Sequence, residues 1–283
     1  MATATSSWDG DGMSLEYTVT KGGKRTLGAI FWAVILFFYS PLIVLFILSL
    51  NTGYVPRLPL EGLGLQWYSA ALNNETLWSA VGVSLRIATV SAIIATVFAL
   101  LAAFAIVRGK GAIRIIAAIA AISPLVMPAI VIGVSQLLFF VWIGLPRSPV
   151  AVMIGHATFS LPYATLILLP AISQLNPRCD EAAKDLGARA FVRSYTATLP
   201  PALPAIVSAF LIAFTLSFDE VAIAGFLIGS DNTFPTYLLA QMRLPQRLPE
   251  AMAMSVMAAA FSLILFNVVD RIQQKGGAAS HGR

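Results

Sequence analysis

Two carboxylates stand alone in otherwise apolar sequence: Asp219 and Glu220, in the stretch Thr215-Leu216-Ser217-Phe218-Asp219-Glu220-Val221. An ionised side chain at membrane depth is costly and tends to face a cavity or a partner. Two readings stand for this pair: one acid lines the route of a cationic solute, or both hold helices together near a membrane face. Adjacent residues point about 100° apart on a helix, so the two do not line one wall together. His156 poses a similar choice between a buried, hydrogen-bonded histidine and a path-lining one. Ser208, Thr215, Ser217, Ser255 and Asn267 either line a cavity or bond across helices, and bonding across helices is the expectation for most.

Other chemistries are missing. Cys179 is the only cysteine, so no internal disulfide forms, and His156 and His281 are too far apart in sequence to complete a zinc site with it. The sequence holds no HExxH or CxxC spacing, no G-x-S-x-G nucleophile turn and no GxxxxGK[ST] phosphate loop. ATP must therefore be hydrolysed elsewhere if it is used, and a membrane enzyme lacks its catalytic set.

The surroundings of these residues fix the class. Of 283 residues, 58% are hydrophobic and 11% charged, against about 25% charged in ordinary soluble domains. A helix crossing a hydrocarbon core about 30 Å thick needs roughly 20 apolar residues. Six uncharged stretches qualify: 28–50, 87–107, Arg114 to Arg147, Arg147 to Arg178, Arg193 to about 228 with its two acids, and 251–269. Backbone groups in hydrocarbon must pair within the segment or in a closed barrel, and barrel strands are shorter and alternate in polarity. The chain is therefore expected to be all-α, a polytopic membrane protein with six transmembrane helices. Pro41, Pro124, Pro128 and Pro162 predict kinks or breaks. The expected organisation is a tail at 1–27 without regular structure, a membrane domain at 28–272 and a second tail at 273–283. No secretory signal peptide is evident.

Basic residues predict the orientation. With the N-terminus inside, the inner segments carry Lys21, Lys24, Arg25, Arg108, Lys110, Arg114, Arg178, Lys184, Arg189, Arg193, Arg271, Lys275 and Arg283. The outer loops carry Arg57, Arg147, Arg243 and Arg247. Thirteen against four places both termini in the cytoplasm. Arg86 is expected near the outer end of its span, snorkelling outward. The formal charge of +5 thus belongs to membrane-flanking loops and does not indicate nucleic acid. Trp67, Tyr68 and Trp78 in the first outer loop suit an interfacial belt or an outer helix.

The loop at 178–198 differs from the rest. It reads Cys179-Asp180-Glu181-Ala182-Ala183-Lys184-Asp185-Leu186-Gly187-Ala188-Arg189-Ala190-Phe191 and then Thr198-Leu199-Pro200. Asp180 is an N-cap candidate, and Ala182, Ala183 and Leu186 give a small apolar face at helical spacing. Gly187 permits a turn, and Pro200 and Pro201 redirect the chain into the next span. A short helix of this kind is marginal alone, so a partner that holds it is inferred.

Glu181-Ala182-Ala183, Gly187 and Leu199-Pro200 resemble the EAA loop of ABC importer permeases, with Ala197 where that pattern usually carries isoleucine. The likeness runs from about 28 to 272 and is similar to the shorter permease of spermidine/putrescine importers. Gln66-Trp67-Tyr68 with Asn73-Asn74-Glu75, Gly155-His156-Ala157-Thr158-Phe159-Ser160-Leu161-Pro162-Tyr163 and the stretch around Asp219 carry it. The resemblance implies a type I importer permease fold in a bacterial inner membrane. It implies that Glu181, Ala182, Ala183, Leu186, Gly187, Leu199 and Pro200 dock on an ATPase, with Asp219, Glu220, His156 and Ser217 near the substrate path. It further implies a second homologous permease, two cytoplasmic ATPases that bind ATP-Mg, and a periplasmic solute-binding protein; the chain needs no cofactor of its own. The implied cargo is a polyamine or related small cation. Another small organic solute, such as an amino-acid derivative or opine, is the alternative, and a stand-alone secondary transporter is the rival from another class.

Overall fold

The computed structural model describes residues 3–6, 15–18, 21–176, 178, 185, 187, 189 and 199–280, with side chains described over 23–176, at those four loop positions and over 199–264. Ten helices carry the described chain: α1 Lys21–Ser49, α2 Gln66–Leu72, α3 Glu75–Arg108, α4 Ala112–Ile122, α5 Ala129–Trp142, α6 Pro149–Ser173, α7 Leu199–Asp219, α8 Ala222–Leu227, α9 Phe234–Met242 and α10 Leu248–Ser280. In the N-terminal tail, Thr3–Ser6 pairs antiparallel with Leu15–Thr18. That hairpin departs from the structureless tail expected there; Thr3, Thr5, Tyr17 and Thr18 are residues that favour extended backbone.

Five helices are long and apolar enough to cross a membrane. A sixth crossing forms if Ala112–Val126 and Ala129–Trp142 count as one broken span. The third uncharged stretch is thus not one straight helix: it bends by 114°. Ser123–Val126 tightens into a 3-10 turn and Met127 is extended at φ −89, ψ 133. Pro128 causes this, because its ring disfavours helical backbone at the residue before it.

Helix ends follow local chemistry. Asn74 caps α3, its Oδ1 accepting from the Leu77 amide at 3.1 Å. Ser148 caps α6 with Pro149 behind it. Glu75 at the start of α3 and Arg108 at its end complement the helix dipole.

The centre is a tight block of α3, α6 and α7. Ala88, Ala92, Ala95, Ala99 and Ala103 form one buried stripe of α3, facing Ala157 and Ala164 of α6 and Ala202, Ala209 and Ala213 of α7. Such small residues let membrane helices approach closely. Ser91 Oγ donates to the Met153 carbonyl at 3.0 Å, joining α3 to α6.

A second body, α5 with α8, packs on the Ser148 end of α6. A Cβ on Gly155 would lie 2.7 Å from Ile223 and 2.9 Å from Leu227, and one on Gly133 would lie 3.1 Å from the Ile223 Cα. Glycine is needed at both for the approach. By contrast, none of residues 23–48 of α1 is buried, and α1 packs against α10. The aromatic residues of α2 tie the end of α1 down: Tyr68 and Ser49 hydroxyls pair at 2.6 Å, and Trp67 Nε1 donates to the Asn51 carbonyl.

Candidate substrate path and coupling loop

The fifth apolar stretch breaks at its acids. α7 ends at Asp219 and α8 begins at Ala222. Glu220 reaches forward, its Oε1 accepting the Ile223 amide hydrogen at 2.8 Å. Its carboxylate therefore satisfies an orphan donor of α8 and complements the positive end of that helix. Asp219 is exposed and forms no hydrogen bond or ion pair among the described residues. Its charge adds to the negative C-terminal end of α7. Half-helix ends of this kind are where membrane transporters hold cations.

The depth of the break follows from His156. Its Nδ1 lies 2.8 Å from the Ser217 hydroxyl. His156 is the eighth residue of α6, so it sits roughly 10 Å along that helix from its Ser148 end. Asp219, two residues beyond Ser217, thus lies beside the first half of α6 rather than on a distant loop. His156 is 1% and Ser217 3% exposed; neither faces a surface of this chain. The histidine takes the buried, hydrogen-bonded option, and its Nε2 has no partner among the described residues.

Other hydroxyls fall differently from expectation. Ser208, Thr215 and Ser255 bond the carbonyls of Pro204, Leu211 and Ala251, each four residues back in its own helix. This local bond is the easier one for a helical hydroxyl to make. Ser217 does bond across helices, to His156, and Ser91 and Ser84 join it, the Ser84 Oγ accepting from the Phe234 amide at 2.8 Å. Asn267 has its side chain outside the described residues.

A polar junction that the sequence does not advertise joins the starts of α3 and α10. Asn74 Nδ2 donates to Tyr237 at 3.0 Å and to Glu250 at 2.8 Å, and Arg247 meets Glu250 at 3.2 Å. These residues border a cleft of about 530 Å³. Below it, Phe218 stacks with Phe214 and Phe234 and touches Phe261. Phe218, Phe234 and Phe261, with Trp78 and Met254, line an apolar cavity of about 280 Å³.

In the loop at 178–198, Glu181, Ala182, Ala183 and Leu186 lie outside the described residues, as does Cys179. Gly187 is exposed with φ +80, backbone that L side chains rarely adopt, and open space around its Cβ position. Leu199 and Pro200 open α7. Among the described residues no group of three His, Cys, Asp or Glu could hold a metal ion.

Residues 95–275 match the family model described as the binding-protein-dependent transport system inner membrane component. The chain belongs to that family. The match runs from the alanine stripe of α3 through the 178–198 loop and the break at Asp219 into α10. Among relatives of this inner membrane component, the putrescine transport system permease protein PotI of Escherichia coli K12 is 34% identical over 221 residues, covering 74% of this chain and 76% of the relative. The spermidine/putrescine transport system permease protein PotC of Haemophilus influenzae is 32% identical over 252 residues, covering 87% and 96%. In fold, a bacterial ABC transporter involved in import of the acidic polysaccharide alginate superposes with TM-score 0.72 at 16% identity, covering 90% of this chain and 98% of that one. An amino acid ABC transporter superposes with TM-score 0.55, also at 16% identity, covering 75% and 100%.

Proposed function

We propose that the chain is the membrane-spanning permease subunit of an ATP-driven importer of putrescine, spermidine or a related small organic cation. The observation that carries the cargo reading is Asp219: an exposed carboxylate without an ion pair among the described residues, at the end of a broken helix, in a chain whose relatives are named for putrescine and spermidine. A carboxylate beside a low-dielectric passage favours a cation. Glu220, His156 and Ser217 frame that carboxylate, as the cap of α8 and the tie to α6.

The chain works with a second, homologous permease, two cytoplasmic ATPases and a periplasmic solute-binding protein, in a bacterial inner membrane with both termini in the cytoplasm. The ATPases bind ATP-Mg. Glu181, Ala182, Ala183, Leu186, Gly187, Leu199 and Pro200 dock the loop on an ATPase. ATP binds the closed ATPase pair better than the open one, and this difference in affinity shifts the permeases between inward-open and outward-open states. Cargo released by the binding protein then passes between the two permeases.

The test is reconstitution of the intact complex with its binding protein, scoring which solutes stimulate ATP hydrolysis and enter the vesicle. Putrescine or spermidine should do both, and Asp219→Asn should lower uptake while the complex still assembles and hydrolyses ATP. Import restricted to neutral or anionic solutes overturns the cargo reading. Transport by the purified chain alone overturns the importer reading.

A further inference from the structure

We propose that His156 is a positioning residue for the cargo carboxylate: through Ser217 it fixes the last turn of α7 and so the direction in which Asp219 points. This rests on the reading that Asp219 meets the cargo.

The support of the hydrogen bond is rigid. His156 stands on α6 beside Ala157, which packs with Ala92 and Ala95 of α3 and Ala213 of α7, and three residues before it Met153 accepts from Ser91. Small residues in close contact leave α6 little room to shift against α3. The other end of the bond lies in the last turn of α7. Only Phe218 and Asp219 follow Ser217 before the helix stops, and Glu220 is engaged with α8.

Helix geometry then couples the two side chains. Residues two apart differ by about 200° around the axis, so Ser217 turned inward puts Asp219 outward. The exposures agree: Ser217 is 3% exposed and Asp219 is an exposed residue. A roll of the last turn that frees Ser217 from His156 would carry the carboxylate towards the packed face. Phe218 holds this turn on another side, through its stacked contacts with Phe214 and Phe234. Ring contacts tolerate sliding, whereas a 2.8 Å hydrogen bond is directional.

Burial separates this role from direct contact with cargo. At 1% exposure His156 meets no cargo itself. Among the described residues, the hydrogen bond of its ring is the one to Ser217. Loss of that bond therefore releases Ser217 from α6.

The test uses the complete importer in proteoliposomes, with putrescine-loaded binding protein, and reads putrescine imported per ATP hydrolysed. His156→Leu and Ser217→Ala should each lower that ratio by about threefold to tenfold, the range of a lost interhelical hydrogen bond. His156→Asn, whose amide falls near the Nδ1 position, should recover most of it. In an Asp219→Asn background, His156→Leu should cause no further fall. A misfolding role instead lowers complex yield and leaves the ratio of the assembled fraction unchanged, which overturns the proposal. A full ratio in Ser217→Ala overturns it too, and does so even if His156→Leu fails to assemble. If Asp219→Asn lowers the ratio and His156→Leu does not, positioning fails while the cargo carboxylate stands. If Asp219→Asn has no effect, the cargo reading fails and takes positioning with it. Losses that multiply in the double variant show independent action and exclude positioning through Asp219.

Discussion

The Glu220 carboxylate accepts the backbone amide hydrogen of Ile223 at 2.8 Å, while its neighbour Asp219 accepts none among the described residues. The two acids therefore predict opposite responses to loss of charge. Glu220→Gln keeps an oxygen acceptor for the start of α8 and should retain most uptake. Glu220→Ala removes the cap and should lower stability by about 1 kcal/mol, read as a lower melting temperature of the purified complex. If Glu220→Gln abolishes uptake as fully as Asp219→Asn, the charge of Glu220 is used on cargo and the division between the two is wrong.

Gly155→Ala should loosen the α5–α8 body from α6. The added methyl would sit 2.7 Å from both Gln136 Oε1 and Ile223 Cγ2, and Ile223 is fully buried. Overpacking of this kind costs about 1–3 kcal/mol. Thermal unfolding of the complex should show it, and an unchanged melting temperature would mean that this contact is looser than the geometry indicates.

Glu250 and Arg247 form an ion pair of unequal members. The Arg247 side chain is 52% exposed and that of Glu250 10%. Arg247→Ala should thus cost less than about 1 kcal/mol, as exposed pairs do. Glu250→Ala also strips Asn74 of an acceptor and should cost about 1–3 kcal/mol. Equal losses in the two variants would show that the Asn74 bond contributes nothing.

Gly187→Val places a β-branched residue at φ +80. The strain is confined to the loop, so membrane insertion should stay normal while transport and ATPase association fall. Full transport by this variant excludes the loop as the docking element.

Orientation is tested with a membrane-impermeant thiol reagent. Native Cys179 should react only from the cytoplasmic side. In a Cys179→Ser background, Ser148→Cys should react from outside. The reverse pattern inverts the topology.

The membrane class and the six apolar stretches are legible because each stretch is long, uncharged and closed by basic residues. The break in the third is half legible. Pro124 and Pro128 announce it, but the 114° bend also sets where α5 meets Gly155 on the next helix and Ile223 much later in the chain. The roles of Asp219 and Glu220 are not separable from their types, since they depend on α7 stopping between them. An acid three residues before Ile223 is nevertheless a local capping signal. Asn74 and Glu250 meet across 176 residues, and nothing local to either forecasts it. Thr215 and Ser255 show the reverse: each bonds a carbonyl four residues back in its own helix, a partner that sequence spacing alone supplies.

The contact between α1 and α10 has a consequence for biosynthesis. Lys21–Ser49 is the first helix to leave the ribosome and Leu248–Ser280 the last. Until translation is nearly over, then, α1 lacks this contact, and its end is held to α2 by the Ser49–Tyr68 bond. The packing of the first helix on the last can close only once Leu248–Ser280 has been made. A nascent chain stopped before Leu248 is therefore more than a shortened protein: its opening helix keeps its tie to α2 but is left without its neighbour along the membrane span.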